Sequence, residues 1–566
     1  MADAWRVRPA DEVSARGIAA DLGMRGLTAR ILTARGFSTT QSATGFLSPR
    51  LADLRPPVGM ADLDRAIDRI LRAMAGKEKV AVFGDYDVDG ITSAAILVLT
   101  LRSLGLEVVA RMARRASGYG FSPGAAAEFV DQGCSLVLTG DCGTSDDESL
   151  AFCRGHGVDV IVIDHHHVPT GESHAFALLN PHRGDDGFSF KGLASCGVAF
   201  YLAAAIRTRL RAEGNAKGDD LDPRSLLDLV ALGTIADLVP LTHENRILVA
   251  AGLRELSAMR RPGIAALAEI ANLEAGPLAT KDVSFRLAPR LNAAGRLGDA
   301  QRALELLLAV DPSGACKLAT ELDDLNRERQ HIQERIWSEA AALAEQHGAD
   351  PALVLGKEGW HQGVVGIVAA KLVEKFRKPA VVIGFEAGHG RGSARTIGGF
   401  DLYRGLSQCE KHLTVFGGHP MAAGLSLPAE NLGAFRQAFV AVAQDFFSAT
   451  PGENTVEVDA VASLAELDMI QAEELERLGP FGSANHEPLI VVPGVVAKST
   501  RVVGTSHLQL TLTHAGTVSE AIAFGMGNRD PGQGAKLDVI GIAEVDAFRG
   551  QRRIRLRLRH FMRSLS

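Results

Sequence analysis

The chain has 566 residues, of which 46% are hydrophobic and 22% are charged, and its formal net charge is −7. This length suffices for three or four domains of roughly 100–200 residues with sizeable cores, and the composition excludes a largely disordered chain. The longest apolar runs are far shorter than the roughly 18 residues needed to cross a membrane, and no secretory signal is visible. We therefore expect neither a membrane-spanning nor a secreted protein.

The net charge bears on the kind of binding partner, and the cysteines bear on the cellular compartment. A negative chain argues mildly against a nucleic-acid partner, but a basic groove can exist locally on such a chain. The six cysteines form no CxxC pair, which predicts free thiols in a reducing compartment rather than a disulfide framework or a zinc site. We expect a cytoplasmic protein.

Residues 1–75 contain helical pieces such as GLTARILTARG but no recognisable chemistry, so we predict an N-terminal helical cap. From about Lys79 to Pro240, short β-branched runs (KVAVF, CSLVLT, VDVIVI) alternate with helical stretches such as ITSAAILVLTLRSLG, and after Pro240 the chain is mainly helical. Strands that are apolar throughout are typical of a sheet covered on both faces. Strand–helix alternation therefore predicts an α/β domain with a parallel, doubly wound sheet.

The rest of the chain predicts three further parts. Residues 301–348 have apolar positions at helical spacing and a polar face, which indicates long connecting helices between domains. Residues 349–450 repeat the α/β pattern with ALVLG, GIVAAKLVEKF and PAVVIGF. Residues 455–566 contain five predicted strands separated by turns, which fit a small β-barrel such as an OB-fold, although a sandwich gives a similar pattern.

Potential ligands follow each of the three clearest strands in the first α/β domain. They are Asp85, Asp87 and Asp89 after the first strand, Asp141 after the second, and Asp164, His165 and His166 after the third. In an open parallel sheet, ligands bind outside the carboxyl ends of the strands. We therefore expect these side chains to converge at one edge of the sheet.

A purely structural role explains the motif DYDVDG less well than a metal site does. A calcium-binding EF-hand loop needs a glutamate at its twelfth position, but the twelfth position counted from Asp85 is Ile96. An EF-hand loop also lies between two helices, whereas this motif lies between a predicted strand and a predicted helix. A single aspartate after a strand is usually a helix N-cap, but three at alternate positions are hard to explain that way. The three successive histidines could be exposed residues without a function, but they follow a strand whose apolar sequence is typical of a buried strand.

A cluster of carboxylates with imidazole and no thiolate suits Mn²⁺ or Mg²⁺ better than structural zinc. Several carboxylates can bridge two ions about 3.5–4 Å apart, which clamp the attacking and leaving oxygens of a phosphoryl transfer. The sequence thus predicts a site for two divalent cations, Mn²⁺ or Mg²⁺. Such cations would offset the mutual repulsion of the aspartates.

Four motifs, DYDVDG, GDCG, DHHH and ALGTIADLVPL, resemble those of the DHH phosphoesterase family. Further segments resemble, in the same order, the single-stranded-DNA-specific exonucleases of that family. They are RASGYGF, FRLAPRLNAAGRLGDA, WHQGVVGIVAAKLVEKF, RGSARTIGGFDL, FGGHPMAAGL and LGPFGSANHEP. The resemblance runs from about Val80 to the C-terminus. Two positions depart from it: Thr396 stands where serine is expected, and the SANHEP segment differs from the family form.

This resemblance implies a DHH catalytic domain (76–300), connecting helices (301–348), a DHH-associated domain (349–450) and an OB-fold (455–566). It implies 5′-to-3′ hydrolysis of single-stranded DNA to 5′-mononucleotides, in recombination and repair. Single-strand-binding protein and a repair helicase are implied partners, the protein is expected to be a monomer, and no membrane contact is expected.

The resemblance also implies roles for single residues. The implied metal ligands are Asp85, Asp87, Asp89, Asp141, His165 and Asp237, with Asp141 bridging both ions and Asp85 either a ligand or a neighbour of one. His166 would orient the scissile phosphate or the attacking water, and Asp164 would fix a histidine tautomer. The implied DNA-binding residues are Arg114, Tyr119, Arg296, Ser393, Arg395, Gly417, Gly418 and His419.

In the last predicted strand, QRRIRLRLRH, arginines alternate with apolar residues, so the two kinds of side chain occupy opposite faces. We predict that the apolar face packs into the barrel and that Arg555, Arg557 and Arg559 form a track for DNA phosphates. The alternative is a solvated strand edge that discourages pairing with other chains.

Three functions remain as alternatives. A DHH phosphodiesterase for nano-oligonucleotides or cyclic dinucleotides would resemble only the first two domains. A manganese pyrophosphatase would lack the domain that carries the GGH segment, Gly417 to His419. A non-catalytic DNA-binding replication scaffold on the same fold would lose metal ligands, whereas the set here looks complete.

Overall fold

The computed structural model describes residues 4–115, 118, 120–274, 276–449, 455–504, 506–548 and 551–564. They form two compact units. The first unit consists of Met1–Val58, Leu238–Arg254 and Glu453–Ser566, and the second of Gly59–Asp237 and Glu255–Gly452. None of the helices in the described ranges is both long enough and apolar enough to cross a membrane.

The chain begins with strand β1 and three short helices. Their bounds are β1 Ala4–Val7, α1 Glu12–Leu22, α2 Gly26–Ala34 and α3 Thr40–Leu47. Helix α1 begins where the side chain of Asp11 accepts hydrogen bonds from the backbone of Val13 and Ser14, and it ends at Gly23 in the left-handed conformation.

The first α/β domain follows. Its strands are β2 Lys79–Gly84, β3 Glu107–Met112, β4 Leu136–Gly140, β5 Asp159–Ile163 and β6 Ala177–Leu179. The helices along and after it are α4 Leu63–Gly76, α5 Val88–Ser103, α6 Pro123–Asp131, α7 Asp147–Gly155, α8 Ser195–Ala212, α9 Lys217–Asp220, α10 Leu227–Ala236, α11 His243–Ser257, α12 Pro262–Ile270, α13 Thr280–Asp282, α14 Ala288–Leu297 and α15 Gln301–Leu308.

The five strands pair in parallel in the order β3-β2-β4-β5-β6, so the predicted parallel α/β sheet is confirmed. The strand order changes direction at β2. The chain passes from β2 to β3 on one side of it, and the next strand, β4, pairs with the other side of β2. Such a switch point opens a crevice at the carboxyl ends of the two strands. Strands β2 and β4 are buried along almost their whole length, which explains their continuous apolar runs.

Helix α16, Pro312–Gln346, is the predicted long connector, with 35 residues. Asp311 caps its first turn through a 2.7 Å hydrogen bond from the Gly314 amide, and Pro312 occupies the first helical position. One face is buried, at positions such as Ala315, Ala319 and Leu322, while the other carries the charges predicted from the sequence.

The second α/β domain has a mixed five-stranded sheet in the order β10-β11-β9-β8-β7. Its elements are β7 Leu353–Glu358, α17 Val365–Phe376, β8 Ala380–Glu386, β9 His389–Arg395, α18 Leu402–Ser407, β10 Val415–His419, β11 Ala422–Pro428 and α19 Leu432–Ala449. Only β7 and β8 pair in parallel, and the remaining pairs are antiparallel. Buried aromatic residues on α19, including Phe435 and Phe439, fill the core on one face.

The C-terminal part contains β12 Thr455–Val458, β13 Ala460–Val461, α20 Met469–Glu476, β14 Ile490–Val503, β15 His507–His514, β16 Thr517–Ala523, β17 Lys536–Phe548 and β18 Gln551–Arg563. The last five strands run β14-β15-β16-β18-β17, and β17 pairs back onto β14 to close a barrel. This order, with a parallel β16–β18 pair, is that of an OB-fold. The predicted barrel is therefore confirmed, and the sandwich alternative is excluded.

The N-terminal residues belong to the same unit as this barrel. Strand β1 pairs in parallel with β12, and the guanidinium of Arg35 on the turn after α2 makes two 3.0 Å hydrogen bonds to the carboxylate of Asp459. One hydrophobic core contains Ile31 and Leu32 of α2 together with Leu508 and Leu556 of the barrel.

Candidate metal centre and nucleic-acid cleft

Three strand ends of the parallel sheet lie at the same level. Gly84 of β2 is in register with Gly140 of β4, which is in register with Ile163 of β5. The next residue on each strand is an aspartate: Asp85, Asp141 and Asp164, and all three are about 1% exposed. The register alone therefore brings three carboxylates from distant parts of the sequence to one edge, as predicted.

The remaining predicted ligands approach from neighbouring helices. Asp87 caps α5, Asp89 lies in its first turn and Asp237 follows α10. His165 Nε2 lies 3.4 Å from Asp141 Oδ1, 3.5 Å from Asp237 Oδ2 and 4.0 Å from Asp89 Oδ2. Three sets of ligand atoms lie within 4.8 Å of one another: Asp85–Asp87–Asp141, Asp89–His165–Asp237 and Asp141–His165–His166.

The electrostatics of this cluster indicate that a cation belongs in it. Burial, reinforced by the charge of Asp87, raises the pKa of Asp85 and of Asp141 well above the ordinary value of an aspartate. Burial and the charge of Asp89 raise the pKa of Asp237 to about 9. Among the described residues, Asp85 Oδ1 and His165 Nε2 are buried without a hydrogen-bond partner. A carboxylate oxygen and an imidazole nitrogen without hydrogen-bond partners are ligand atoms that suit Mn²⁺ or Mg²⁺.

Asp164 and His166 form a hydrogen-bonded pair within this region. His166 Nδ1 lies 2.7 Å from Asp164 Oδ1, and the same carboxylate accepts hydrogen bonds from the backbone amides of His165 and Thr144. Burial alone would raise the pKa of Asp164, but the hydrogen bond and charge of His166 hold it below its ordinary value. Burial opposes the charged form of His166 as well, yet Asp164 raises the pKa of His166 to about 9.

A basic cavity of about 370 Å³ adjoins the first and second α/β domains within the same unit. Four arginines line it. Among the described residues, no carboxylate lies within ion-pair distance of any of these four. Most other arginines of the chain form an ion pair with a carboxylate. The four are Arg115, Arg296, Arg391 and Arg395. A cavity with unpaired guanidinium groups suits phosphate oxygens.

Of the residues predicted to bind DNA, Arg296, Ser393 and Arg395 line this cavity. Arg296 donates a 2.9 Å hydrogen bond to the carbonyl of Gly363, and burial lowers the pKa of its guanidinium to about 10. Arg395 donates to the hydroxyl of Ser393 at 2.9 Å, and burial lowers the pKa of Arg395 as well. Both side chains are thus held in fixed positions by neutral partners, which leaves their charge uncompensated.

Arg114 lies elsewhere. Its side chain is 73% exposed and approaches Asp299 at 3.6 Å, whereas its neighbour Arg115 lines the cavity. Arg115 donates to the carbonyl of Gly295 at 3.0 Å and lies over the ring of Tyr86 at 4.1 Å. The sequence signal for Arg115 was present, since the motif RASGYGF begins with it. The predicted DNA-binding residue Tyr119 lies outside the described residues.

The GGH segment, Gly417 to His419, is the last part of the exposed edge strand β10. Gly418 has a φ of 137°, and a Cβ there would lie 2.5 Å from the carbonyl oxygen of Ala422, so only glycine fits. His419 pairs with Ala422, which pairs with Arg395, so His419 shares a sheet face with the arginine of the cavity. Burial, followed by the charges of His166 and His167, lowers the pKa of His419.

The arginine row of β18 has the predicted orientation but also has partners. Leu556 and Leu558 are buried in the barrel, whereas the arginines face outward. Arg555 pairs with Glu544 at 2.8 Å, and Arg557 pairs with Glu487 at 2.6 Å. Arg559 is 58% exposed and only approaches Glu487, at 4.0 Å. Because β18 lies between β16 and β17, the row is not a strand edge either.

The chain resembles known proteins in sequence. Three family models match: the DHH family, N-terminal domain, over residues 79–234; the DHHA1 domain over 349–445; and the RecJ OB domain over 458–560. The chain is 35% identical to the single-stranded-DNA-specific exonuclease RecJ of Bacillus subtilis over 98% of this chain and 70% of that protein. It is 36% identical to the Escherichia coli RecJ over 94% of each.

The structural relatives include RecJ with bound metal. The crystal structure of Thermus thermophilus RecJ in complex with Mn²⁺ has a TM-score of 0.86 at 30% identity, covering 100% of this chain and 80% of that chain. The Mg²⁺ complex from the same organism has a TM-score of 0.79 at 30% identity, covering 100% of this chain and 79% of that chain. The fold is therefore similar over the whole chain and the sequence over nearly all of it.

Proposed function

Because the chain belongs to the RecJ family of single-stranded-DNA-specific exonucleases, we propose that it degrades a single DNA strand stepwise from its 5′ end and releases 5′-mononucleotides. It is a hydrolase of DNA phosphodiester bonds that works with Mn²⁺ or Mg²⁺. The observation that carries the proposal is the edge of the parallel sheet, where level strand ends supply a carboxylate cluster beside a cavity of unpaired arginines.

Two groups of residues would hold the ions. Asp85, Asp87 and Asp141 form one group, and Asp89, His165 and Asp237 form the other. Asp141 would contribute to both, since its Oδ1 also lies 3.4 Å from His165 Nε2. Divalent ions held there would lower the pKa of a water molecule that attacks the phosphate and would supply positive charge for the phosphate oxygens.

His166 and Asp164 would act on the scissile phosphate. Asp164 is ionised, so it accepts a hydrogen bond from Nδ1–H of His166 and leaves Nε2 for the substrate. Without bound ions the pKa of the ring is about 9, which favours its positively charged form at neutral pH. In that state the imidazolium donates to a phosphate oxygen and orients it. Asp164 is a positioning residue, because it acts through His166.

The basic cavity would hold the 5′ end and so define the direction of digestion. Arg115, Arg296, Ser393 and Arg395 offer donors that match phosphate oxygens. The glycines of β10 and β11 extend this sheet face without side chains, because Gly417 is in register with Gly424 and a Cβ at either position would meet nothing within 4 Å. A DNA backbone can therefore lie close to the sheet, with His419 at its end.

The barrel would bind a further stretch of the same strand. Within the predicted track, Arg559 is the member least neutralised by carboxylates. Phe524, in the turn directly after β16, is 50% exposed, and its ring lies 5.2 Å from the ring of His507 on β15. An exposed ring on the barrel suits stacking with a base.

The setting of the enzyme follows from the same family membership. We propose that it acts as a monomer in the cytoplasm, in recombination and repair, with single-strand-binding protein and a repair helicase as partners. All six cysteines are free thiols, and five of them are buried, which supports a reducing compartment.

A panel of substrates tests the proposal. We expect rapid digestion of a 5′-phosphorylated single strand with Mn²⁺, no digestion in EDTA, and little digestion of blunt duplex, a cyclic dinucleotide or pyrophosphate. Preference for a dinucleotide over a long strand would instead favour an oligonucleotide phosphodiesterase. Strand binding without any hydrolysis would favour a non-catalytic scaffold.

A further inference from the structure

The first turn of α8 contacts two of the proposed metal ligands. The backbone N–H groups of Ser195 and Cys196 donate to the two oxygens of Asp89, at 2.7 and 3.0 Å. The hydroxyl of Ser195 donates to Asp141 Oδ1 at 3.0 Å. Ser195 is completely buried. One residue therefore holds carboxylates from two distant segments, one in the first turn of α5 and the other directly after β4.

We infer that Ser195 is a positioning residue for the metal centre, one that sets metal affinity by fixing the bridging carboxylate of Asp141 relative to Asp89. The inference rests on the proposed two-metal function. A carboxylate has about four acceptor sites, so a hydroxyl on one of them still leaves sites for cations. Hydrogen bonds from such outer partners fix the orientation of metal ligands, and their removal typically lowers metal affinity.

The backbone around Asp141 shows why the carboxylate needs this support. Asp141 has a φ of 65°, in the left-handed region, and its amide donates to the carbonyl of Ile163 at 2.9 Å. The backbone is thus fixed, but the side chain faces the like charges of Asp87 and Asp89. The Ser195 hydroxyl is a neutral donor that holds Asp141 in place against this repulsion.

Close packing fixes the position of Ser195 in turn. Gly233 of α10 faces the same turn of α8, and a Cβ there would lie 2.6 Å from Cys196 Sγ and 2.9 Å from Asp89 Oδ1. The absence of a side chain at Gly233 therefore lets α10 support the N-terminus of α8. With both helices packed, Ser195 cannot move away when Asp141 binds cations.

The experiment measures Mn²⁺ binding to the full-length protein by isothermal titration calorimetry, without DNA. The variants are Ser195→Ala, which removes the hydroxyl, Ser195→Cys, which keeps the volume but is a weak donor, and Ser195→Thr, which keeps the hydroxyl. Ser93→Ala is the matched control. Ser93 is also fully buried on α5, but its hydroxyl has no hydrogen-bond partner among the described residues.

We expect Ser195→Ala and Ser195→Cys to bind Mn²⁺ roughly 10–100-fold more weakly than the wild type. Ser93→Ala should bind like the wild type, and Ser195→Thr, which keeps the donor, should bind more tightly than Ser195→Ala. DNA hydrolysis by Ser195→Ala should need correspondingly more Mn²⁺ for half-activation but recover at saturating Mn²⁺, which a merely structural role would not produce. If Ser195→Ala folds poorly, Ser195→Cys gives the same comparison.

Wild-type Mn²⁺ affinity in both Ser195→Ala and Ser195→Cys would overturn the inference and leave the proposed function intact. An equal loss in Ser93→Ala would overturn it as well, because any buried serine would then have the same effect. A failure of the proposed function would look different, since the wild type itself would neither bind Mn²⁺ nor hydrolyse single strands.

Discussion

Asp141 lies where the two groups of proposed ligands meet, so at the scale of the residue it carries the strongest prediction. Changing Asp141 to Ala should lower the rate of DNA hydrolysis by at least about 10²–10³-fold, the loss typical of removing one group that stabilises developing charge. Binding of single-stranded DNA should remain, because the basic cavity is untouched. Hydrolysis and binding are measured on the same labelled strand, and simultaneous loss of both in a folded variant would contradict the bridging role.

The metal-free protein should lose stability as the pH rises. The pKa of Asp237 is about 9 in the folded protein, and that of His166 is also about 9. Both values are raised above those of the unfolded chain, 3.8 for Asp237 and 6.5 for His166, so the folded state binds more protons. Its stability therefore falls from about pH 4, and more steeply between about pH 6.5 and 9. Thermal unfolding in EDTA measures this, and Asp237→Asn should flatten the profile. A stability that rises over this range would contradict the electrostatic account.

The two adjacent arginines before the first glycine of RASGYGF offer a matched pair. Arg115→Ser should raise the KM for a 5′-phosphorylated strand, because it removes a guanidinium from the cavity. Arg114→Ser should have little effect, since Arg114 is 73% exposed and approaches Asp299 instead. Steady-state kinetics on 5′-phosphate and 5′-hydroxyl strands measure the difference. A larger effect at Arg114 would restore the prediction made from the sequence.

At the scale of the element, strand β18 shows what a local pattern can and cannot predict. The alternation in QRRIRLRLRH correctly predicts which side chains enter the barrel, because a strand has a fixed period of two. It does not predict that Glu544 of β17 and Glu487 neutralise Arg555 and Arg557, since both carboxylates come from elsewhere in the chain. The charge of a surface depends on neighbours that only the fold brings together.

This difference gives a prediction for the barrel. Arg559→Ser should weaken the binding of long single strands and reduce the salt dependence of binding by about one unit of slope, the change expected for one lost phosphate contact. Arg552→Ser is the control, because Arg552 has a similar exposure of 59% and pairs with Glu473 at 2.9 Å. Equal salt slopes for the wild type and Arg559→Ser would place the strand elsewhere on the barrel.

At the scale of the whole molecule, the sequence predicts the parallel sheet, the long connector and the barrel because each has its own periodicity and turn signals. It also predicts the convergence of Asp85, Asp141 and Asp164, since parallel strands end at one edge. It does not predict that β1 pairs with β12 or that Arg35 binds Asp459, because these contacts join segments more than 400 residues apart and follow from no local pattern.

The central claim is hydrolysis from the 5′ end at the carboxylate edge, and the most direct test is the order in which labels leave one DNA strand. A single strand with different labels at its two ends is digested with Mn²⁺ under excess enzyme. We predict that the 5′ label appears first as a mononucleotide, while the 3′ label stays on progressively shorter strands. Early release of the 3′ label, or internal fragments that carry neither label, would contradict hydrolysis from the 5′ end.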